Sequence, residues 1–252
     1  MRCFIDLAYL GKPFHGWQRQ PNDVSVQSVI EDAFATLLRR PMAVTGAGRT
    51  DAGVNARRMV AHFDIDEALS TADLDGMCRS LNALCGKDID IRRIYPVPDD
   101  FHARFTATSR TYRYFASTRR SVFAGDLVWA SNRPLDYEAM NRAADYLLRV
   151  SDFTSFAKLH SDALTNICRV THAAWHDVEG APGVMAFEIT ADRFLRNMVR
   201  AVVGTLVEVG RGKMSIEDFH AVVHAKDRCA AATSMPAEAL FLWDVTYPPF
   251  EL

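Results

Sequence analysis

Residues 46–64 read GAGRTDAGVNARRMVAHFD: three small residues lead into Arg49-Thr50-Asp51, Gly53 follows, and an alternating apolar run begins. The run from about Arg57 to Asp64 has the period of a half-buried β-strand. Ahead of it, glycines at 46, 48 and 53 leave the backbone free to take positive φ, to bend sharply and to let another molecule approach closely. Asp51 is the candidate reactive group of this loop. Arg49, two residues earlier, can favour its ionised form or hold an anionic ligand above it. An Asp-x-Gly turn in which Asp51 bonds its own backbone fits the same residues, so the rest of the chain has to separate the two readings.

Around this loop the first part of the chain has the order βαββαβ. A strand is predicted at residues 2–9, then a turn-rich loop GKPFHGWQRQP, then a helix capped by Ser25 that ends by Pro41. A short strand enters the Asp51 loop. After the strand that leaves it, a helix carries Leu74, Met77, Cys78, Leu81 and Leu84 inward and stops near Gly86, and a strand spans about Ile89 to Val97. The second part repeats the order: a strand near Arg110 to Ser117, a helix over 136–148 with Met140, Ala143, Ala144, Leu147 and Leu148 inward, strands near 167–177 and 184–190, helices near 194–209 and 215–225, and a strand near 240–247. The fold class expected is α+β, two ferredoxin-like halves with mixed or antiparallel sheets. The halves are placed at 1–105 and 106–252, with an active-site cleft between them.

At 252 residues the chain can bury a sizeable core, and 49% hydrophobic with 24% charged residues is ordinary globular composition. It has no apolar run of 18 residues, and its N-terminus enters a strand pattern at once, so a cytoplasmic protein without membrane contact is expected. Five cysteines, at 3, 78, 85, 168 and 229, lack CxxC spacing, which argues against both a disulfide framework and a zinc site. His220 and His224, and likewise His172 and His176, are four apart without the Glu and third ligand of a zincin pattern. No metal is expected. A GxSxG elbow, a P-loop and a dinucleotide fingerprint are all missing, and no cofactor is expected.

A formal net charge of −2 is unpromising for a polyanionic partner, but local charge differs. Between Phe101 and Gly125 stand Arg104, Arg110, Arg113, Arg119 and Arg120 with no Asp or Glu, interleaved with Phe105, Tyr112, Tyr114 and Phe115. That alternation suits a surface that neutralises phosphates and stacks bases; an amphipathic strand with solvated arginines gives the same pattern. Further on, FLRNMVRAVVGTLVEV at 194–209 reads as a helix apolar on most sides, with Arg196, Arg200 and Gly204 on one stripe. In a dry setting Arg200 needs a carboxylate, and a loop Asp from the other half is the natural candidate.

With these stretches in hand, the chain resembles the tRNA pseudouridine synthase A family over most of its length. GWQRQP followed by SVQ looks like the family's first block, GRTDAGVNA its signature around the nucleophilic aspartate, FHARFTATSRTYRY the block of the active-site tyrosine, and FLRNMVRAVVGTLVEVG that of the arginine paired with the aspartate. DFTSF at 152–156 and AKDR at 225–228 also fit. The resemblance implies Asp51, Tyr112 and Arg200 as catalytic residues and a pseudouridine synthase fold. It also implies isomerisation of uridine to pseudouridine at tRNA positions 38–40, in the anticodon stem-loop, by a homodimer that grips one tRNA. Asp51 would attack the ribose C1′ or the base, or remove a sugar proton. Arg200 would keep it ionised, and Tyr112 would stack on the flipped base, its hydroxyl or a water taking the C5 proton. Arg19, Arg49, Arg104 and Arg110, with Arg113, Arg119 and Arg120, would contact substrate phosphates. Three departures stand out: Asn55 for the family's usual His, Ala239 for a Gly, and CGKD at 85–88 for a Leu-Pro turn. A non-catalytic RNA-binding protein on the same fold, a synthase with another RNA target, and a small-molecule enzyme holding a phosphate in the GAGRTDAG loop are the competing readings.

Overall fold

The computed structural model describes residues 1–158 and 164–250. The backbone divides into two units, the first from Met1–Thr108 joined by the described residues from Leu242 on, the second Ser109–Phe241. The change of unit thus falls a few residues after 105. The C-terminal segment belongs with the first unit because it is sewn to residues 101–108: Thr108 N–H donates to the Thr246 carbonyl at 2.9 Å, Tyr247 Oη donates to the Ala103 carbonyl at 2.6 Å, and Phe250 packs on Phe101.

The first unit is built from β1 (Arg2–Tyr9), α1 (Val26–Leu38), β2 (Thr45–Gly46), β3 (Asn55–Asp64), α2 (Thr71–Cys85) and β4 (Ile89–Val97), with β9 (Leu240–Thr246) entering from Leu242. Its strands lie in the order β4-β1-β3, and β2 pairs with β3; the β1–β3, β1–β4 and β2–β3 ladders are all antiparallel. Cys3, Ile5, Leu7 and Tyr9 alternate along β1 and are buried, and Val26, Ile30, Ala33 and Phe34 form the buried stripe of α1, with Phe34 packing on Phe63 of β3. Ser25 and Ser28 close a reciprocal cap on α1, and Ser70 with Asp73 does so on α2. Each such cap satisfies two orphan backbone donors and stabilises by about 1 kcal/mol. Helix α2 buries Leu74, Met77, Leu81 and Cys85. Leu84, expected inward, is exposed, and Cys78 is only half-buried. Gly86 ends the helix with φ +76°, as the sequence predicts.

The second unit comprises β5 (Ser109–Ser117), β6 (Trp129–Ala130), α3 (Tyr137–Asp145), β7 (Val170–Asp177), β8 (Val184–Ala191), α4 (Met198–Gly210), α5 (Ile216–Ala225) and the start of β9. Its strand order is β9-β5-β8-β7. Labelled by position in each half, both orders are 4-1-3-2, the arrangement of a βαββαβ ferredoxin-like unit; β6, parallel to β5, and α5 are additions, and β6 makes the sheet mixed. The α+β reading of two ferredoxin-like halves with mixed and antiparallel strands is what the structure has. Strand β7 starts at Val170, three residues later than predicted, and Ile167 makes only an isolated bridge to Asp152.

Two helix boundaries differ from expectation. Helix α4 begins at Met198, after Asn197 in the left-handed region at φ 65°, so Phe194, Leu195 and Arg196 lie outside it and Arg196 shares no helical stripe with Arg200. Helix α3 gives way after Asp145 to a 3₁₀ turn at Tyr146–Arg149. Tighter winding carries Leu148 out of the buried face, and it is exposed. Among the described residues no helix is long and apolar enough to cross a membrane.

Candidate active-site residues

The loop between β2 and β3 is fixed by the loop that follows β1. Trp17 N–H donates to the Thr50 carbonyl at 3.2 Å, and Tyr9 Oη and Thr50 Oγ1 share a buried hydrogen bond of 2.8 Å. Gly16, at φ +87°, lies where a Cβ would come within 2.4 Å of the Thr50 oxygen. Gly46 serves the same packing: a Cβ there would meet the Trp17 ring at 2.5 Å. Asp51 opens a turn closed by Val54 N–H donating to its backbone carbonyl at 3.1 Å, with Gly53 at φ +80°. The turn residue that needs positive φ is therefore Gly53. Gly46 is required for its small size, and Gly48 has neither constraint, with open space where a Cβ would stand. The turn bond uses the main-chain carbonyl of Asp51, whose side chain is half-buried.

Asn55 is 1% exposed, and its Oδ1 accepts from Gly11 N–H at 2.8 Å. Gly11 itself lies so close to the loop that a Cβ would come within 2.2 Å of the Val54 oxygen. The departure at Asn55 is thereby accounted for as a clamp between two loops. Neither Gly11 nor Gly16 stood out in the sequence, since the contacts requiring them are made by residues some 34 to 43 positions away.

The predicted cations of this unit have partners. Arg49, exposed, donates Nε to Gln18 Oε1 at 3.2 Å. Arg19 is held by Glu31 at 2.8 Å and Asp32 at 2.5 Å on α1, so a phosphate would compete with two carboxylates for it. Arg104 leans on the exposed ring of Phe105, 5.6 Å from its centroid. Next to it His102 stacks on Phe105, and His62 meets His102 edge-on at 4.6 Å. His62 Nδ1 accepts from Ala103 N–H at 3.2 Å; burial, with help from Arg2 and His102, holds its pKa down at about 4.

In the second unit, Tyr112 on β5 stands half-buried with its ring edge-on to Phe194 at 5.0 Å. Arg110 donates to the Asp192 carbonyl at 2.8 Å and Arg113 to Glu188 at 2.5 Å. Tyr114, two residues on, faces the core: it is fully buried, its hydroxyl has no hydrogen-bond partner among the described residues, and burial raises its pKa. Arg200 sits in the first turn of α4. Its Nε donates to the Met235 carbonyl at 2.6 Å, and Met235 N–H donates back to the Arg200 carbonyl at 3.1 Å. Segment 233–235 can come this close because Gly204 lacks a side chain; a Cβ there would meet the Thr233 oxygen at 2.1 Å. Arg228 holds the segment from behind, donating to the Ala231 and Ala232 carbonyls and to Ser234 Oγ. Lys226 pairs with Asp152 at 2.9 Å, so the stretches 152–156 and 225–228 form one brace.

The remaining histidine pairs are otherwise engaged. Tyr146 stacks on His220 and shares a 2.6 Å hydrogen bond with His224 Nε2; His172 and His176 flank Glu188 at 3.8 and 4.0 Å. Among the described residues no three His, Cys, Asp or Glu side chains group as a metal site would.

A family model described as tRNA pseudouridine synthase matches residues 143–248. Over 247 residues the chain is 54% identical to the tRNA pseudouridine synthase A of Parabacteroides distasonis, covering 98% of this chain and 96% of that protein. The chain belongs to the tRNA pseudouridine synthase A family. Identity to the Bacteroides thetaiotaomicron protein of that name is 52%, covering 98% of this chain and 91% of that protein, and to that of Chlorobaculum tepidum 38% over 244 residues, covering 96% of each chain. Within this family the fold above is the pseudouridine synthase fold.

Proposed function

We propose that this protein is a tRNA-modifying isomerase that converts uridine to pseudouridine, that its targets are positions 38–40 of the anticodon stem-loop, and that Asp51 is its nucleophile. The observation that carries the role of Asp51 is the anchoring of its loop: Tyr9, Trp17, Gly11 and Gly16 hold the backbone on either side of it. A loop that only reversed the chain would need none of these contacts. Preorganised placement of a reacting group lowers the barrier because its orientation is fixed before substrate arrives.

In this reading the N1–C1′ bond breaks, the base turns, C5 bonds to C1′, and the C5 hydrogen leaves as a proton while N1 gains one; nothing is oxidised. Tyr112 stacks on the displaced base and Arg200 keeps Asp51 ionised. Arg49, Arg104 and Arg110 take substrate phosphates, and Arg19 does so only in exchange for a carboxylate. The protein acts in the cytoplasm as a homodimer on one tRNA, which light scattering with and without tRNA would test.

The deciding experiment is tritium release from tRNA carrying 5-tritiated uridine. Wild type should release tritium and Asp51→Asn none, with tRNA affinity unchanged within a few-fold. Release by both proteins would remove Asp51 from the mechanism; release by neither, on tRNAs with uridine throughout the anticodon arm, would favour a binding protein.

A further inference from the structure

A second cluster of cations lies in the second unit. Asn132, Arg133, Arg211 and Lys213 line a pocket of about 220 Å³. Two pinned turns build it. The first follows β6, where Ser131 N–H donates to the Ser117 carbonyl at 2.7 Å and Ser131 Oγ to the Arg133 carbonyl at 2.7 Å. The second ends α4, where Arg211 and Gly212 N–H donate to the Val207 and Val209 carbonyls, with Gly212 at φ +68°. Between the turns, the Gly210 carbonyl accepts from Asp136 N–H at 2.9 Å.

The charge of this pocket is net positive. Among the described residues Glu208 pairs with two of its cations, at 2.9 Å from Arg211 and 3.5 Å from Lys213, and one carboxylate does not neutralise the three cations of the lining. It holds two of them in place instead. Arg211 also lies over the Trp129 ring at 5.7 Å, and Arg133 and Lys213 are exposed. From the same edge of β5 the chain makes an excursion between Ser117 and Trp129 that carries exposed Arg119 and Arg120 and Phe123, which is 99% exposed. A fully exposed aromatic in the same short segment as two exposed arginines suits base stacking next to phosphate contacts.

We infer that this pocket binds backbone phosphates of the RNA substrate, at nucleotides other than the one being isomerised. The inference rests on the reading of the protein as a tRNA enzyme and adds to it a second point of attachment. RNA is favoured over a protein partner because the lining is cationic and polar, with no apolar groove.

The test is tRNA binding to the full-length protein as a function of KCl between about 50 and 300 mM, for wild type, Arg133→Gln/Lys213→Gln, and the control Arg79→Gln/Lys87→Gln, which removes two exposed cations of the first unit. All four side chains are on the surface, and thermal unfolding checks that the variants fold. The pocket variant should bind tRNA about tenfold more weakly near 100 mM salt, and its slope of log affinity against log salt should flatten by about 1.5, the loss of two phosphate contacts. The control should follow wild type. Equal slopes for wild type and pocket variant would overturn the inference, as would an equal loss in the control. A pocket that bound inorganic phosphate while tRNA affinity stayed the same in the variant would overturn it too, in favour of a small-anion site. Failure of the tRNA reading itself shows separately, on wild type alone, as absence of tritium release.

Discussion

Thr50 takes part in two of the contacts that fix the Asp51 loop, and neither is with a sequence neighbour: Tyr9 binds its hydroxyl and Trp17 its carbonyl. Tyr9→Phe keeps the ring and deletes one buried hydrogen bond, so stability should fall by about 1 kcal/mol. Tritium release should slow more than that loss explains, because the carboxylate proposed to react belongs to the next residue; a rate equal to wild type would show that the clamp is structural only. At this scale the sequence reveals Gly53, because positive φ is a local property. Gly11, Gly16 and the use of Asn55 as a clamp are not visible there, since each depends on backbone from a distant loop. Gly48, read with Gly46 and Gly53 as freeing the backbone for positive φ, carries no such constraint.

Among the elements, α1 is legible because Ser25 marks its start and α2 because its apolar positions recur at helical spacing up to Gly86; the structure adds reciprocal caps of Ser25 with Ser28, Ser70 with Asp73 and Ser215 with Asp218. The start of α4 is not legible, because apolar periodicity runs back through Phe194 and Leu195, and a left-handed Asn197 leaves no mark in a hydrophobic pattern. Leu148 misleads similarly, because a 3₁₀ turn advances about 120° per residue where an α-helix advances about 100°. The packing of α4 against segment 233–235 sets the Nε of Arg200. Gly204→Ala would drive that segment away, since its Cβ would stand 2.1 Å from the Thr233 oxygen. We expect destabilisation of about 1–3 kcal/mol from overpacking and a fall in tritium release at temperatures where the variant is still folded. Unchanged release would detach Arg200 from the reaction.

For the molecule as a whole, buried His62 ties stability to pH. Its folded pKa of about 4 lies below the roughly 6.5 of an unfolded chain. Between those values the unfolded state binds a proton that the folded state refuses, so stability is lost as pH falls from about 6.5 towards 4, by at most about 3 kcal/mol. His62→Gln should flatten this acid limb in chemical unfolding measured from pH 7.5 to 4.5, and a limb of unchanged steepness would assign the loss to other groups. The sequence shows the two βαββαβ halves by element order, and strand pairing adds that both are ordered 4-1-3-2. What order alone could not reveal is that the chain returns to the first unit at Leu242. This bears on synthesis. The ribosome finishes Thr108 and must then make more than a hundred further residues before Leu242 appears, a delay on the order of 10 s at common elongation rates. Throughout that interval the nascent first half lacks the segment that enters at Leu242, and the stretch of β3 that β2 does not pair is left open to whatever surrounds it, so the protein completes its first-made half last.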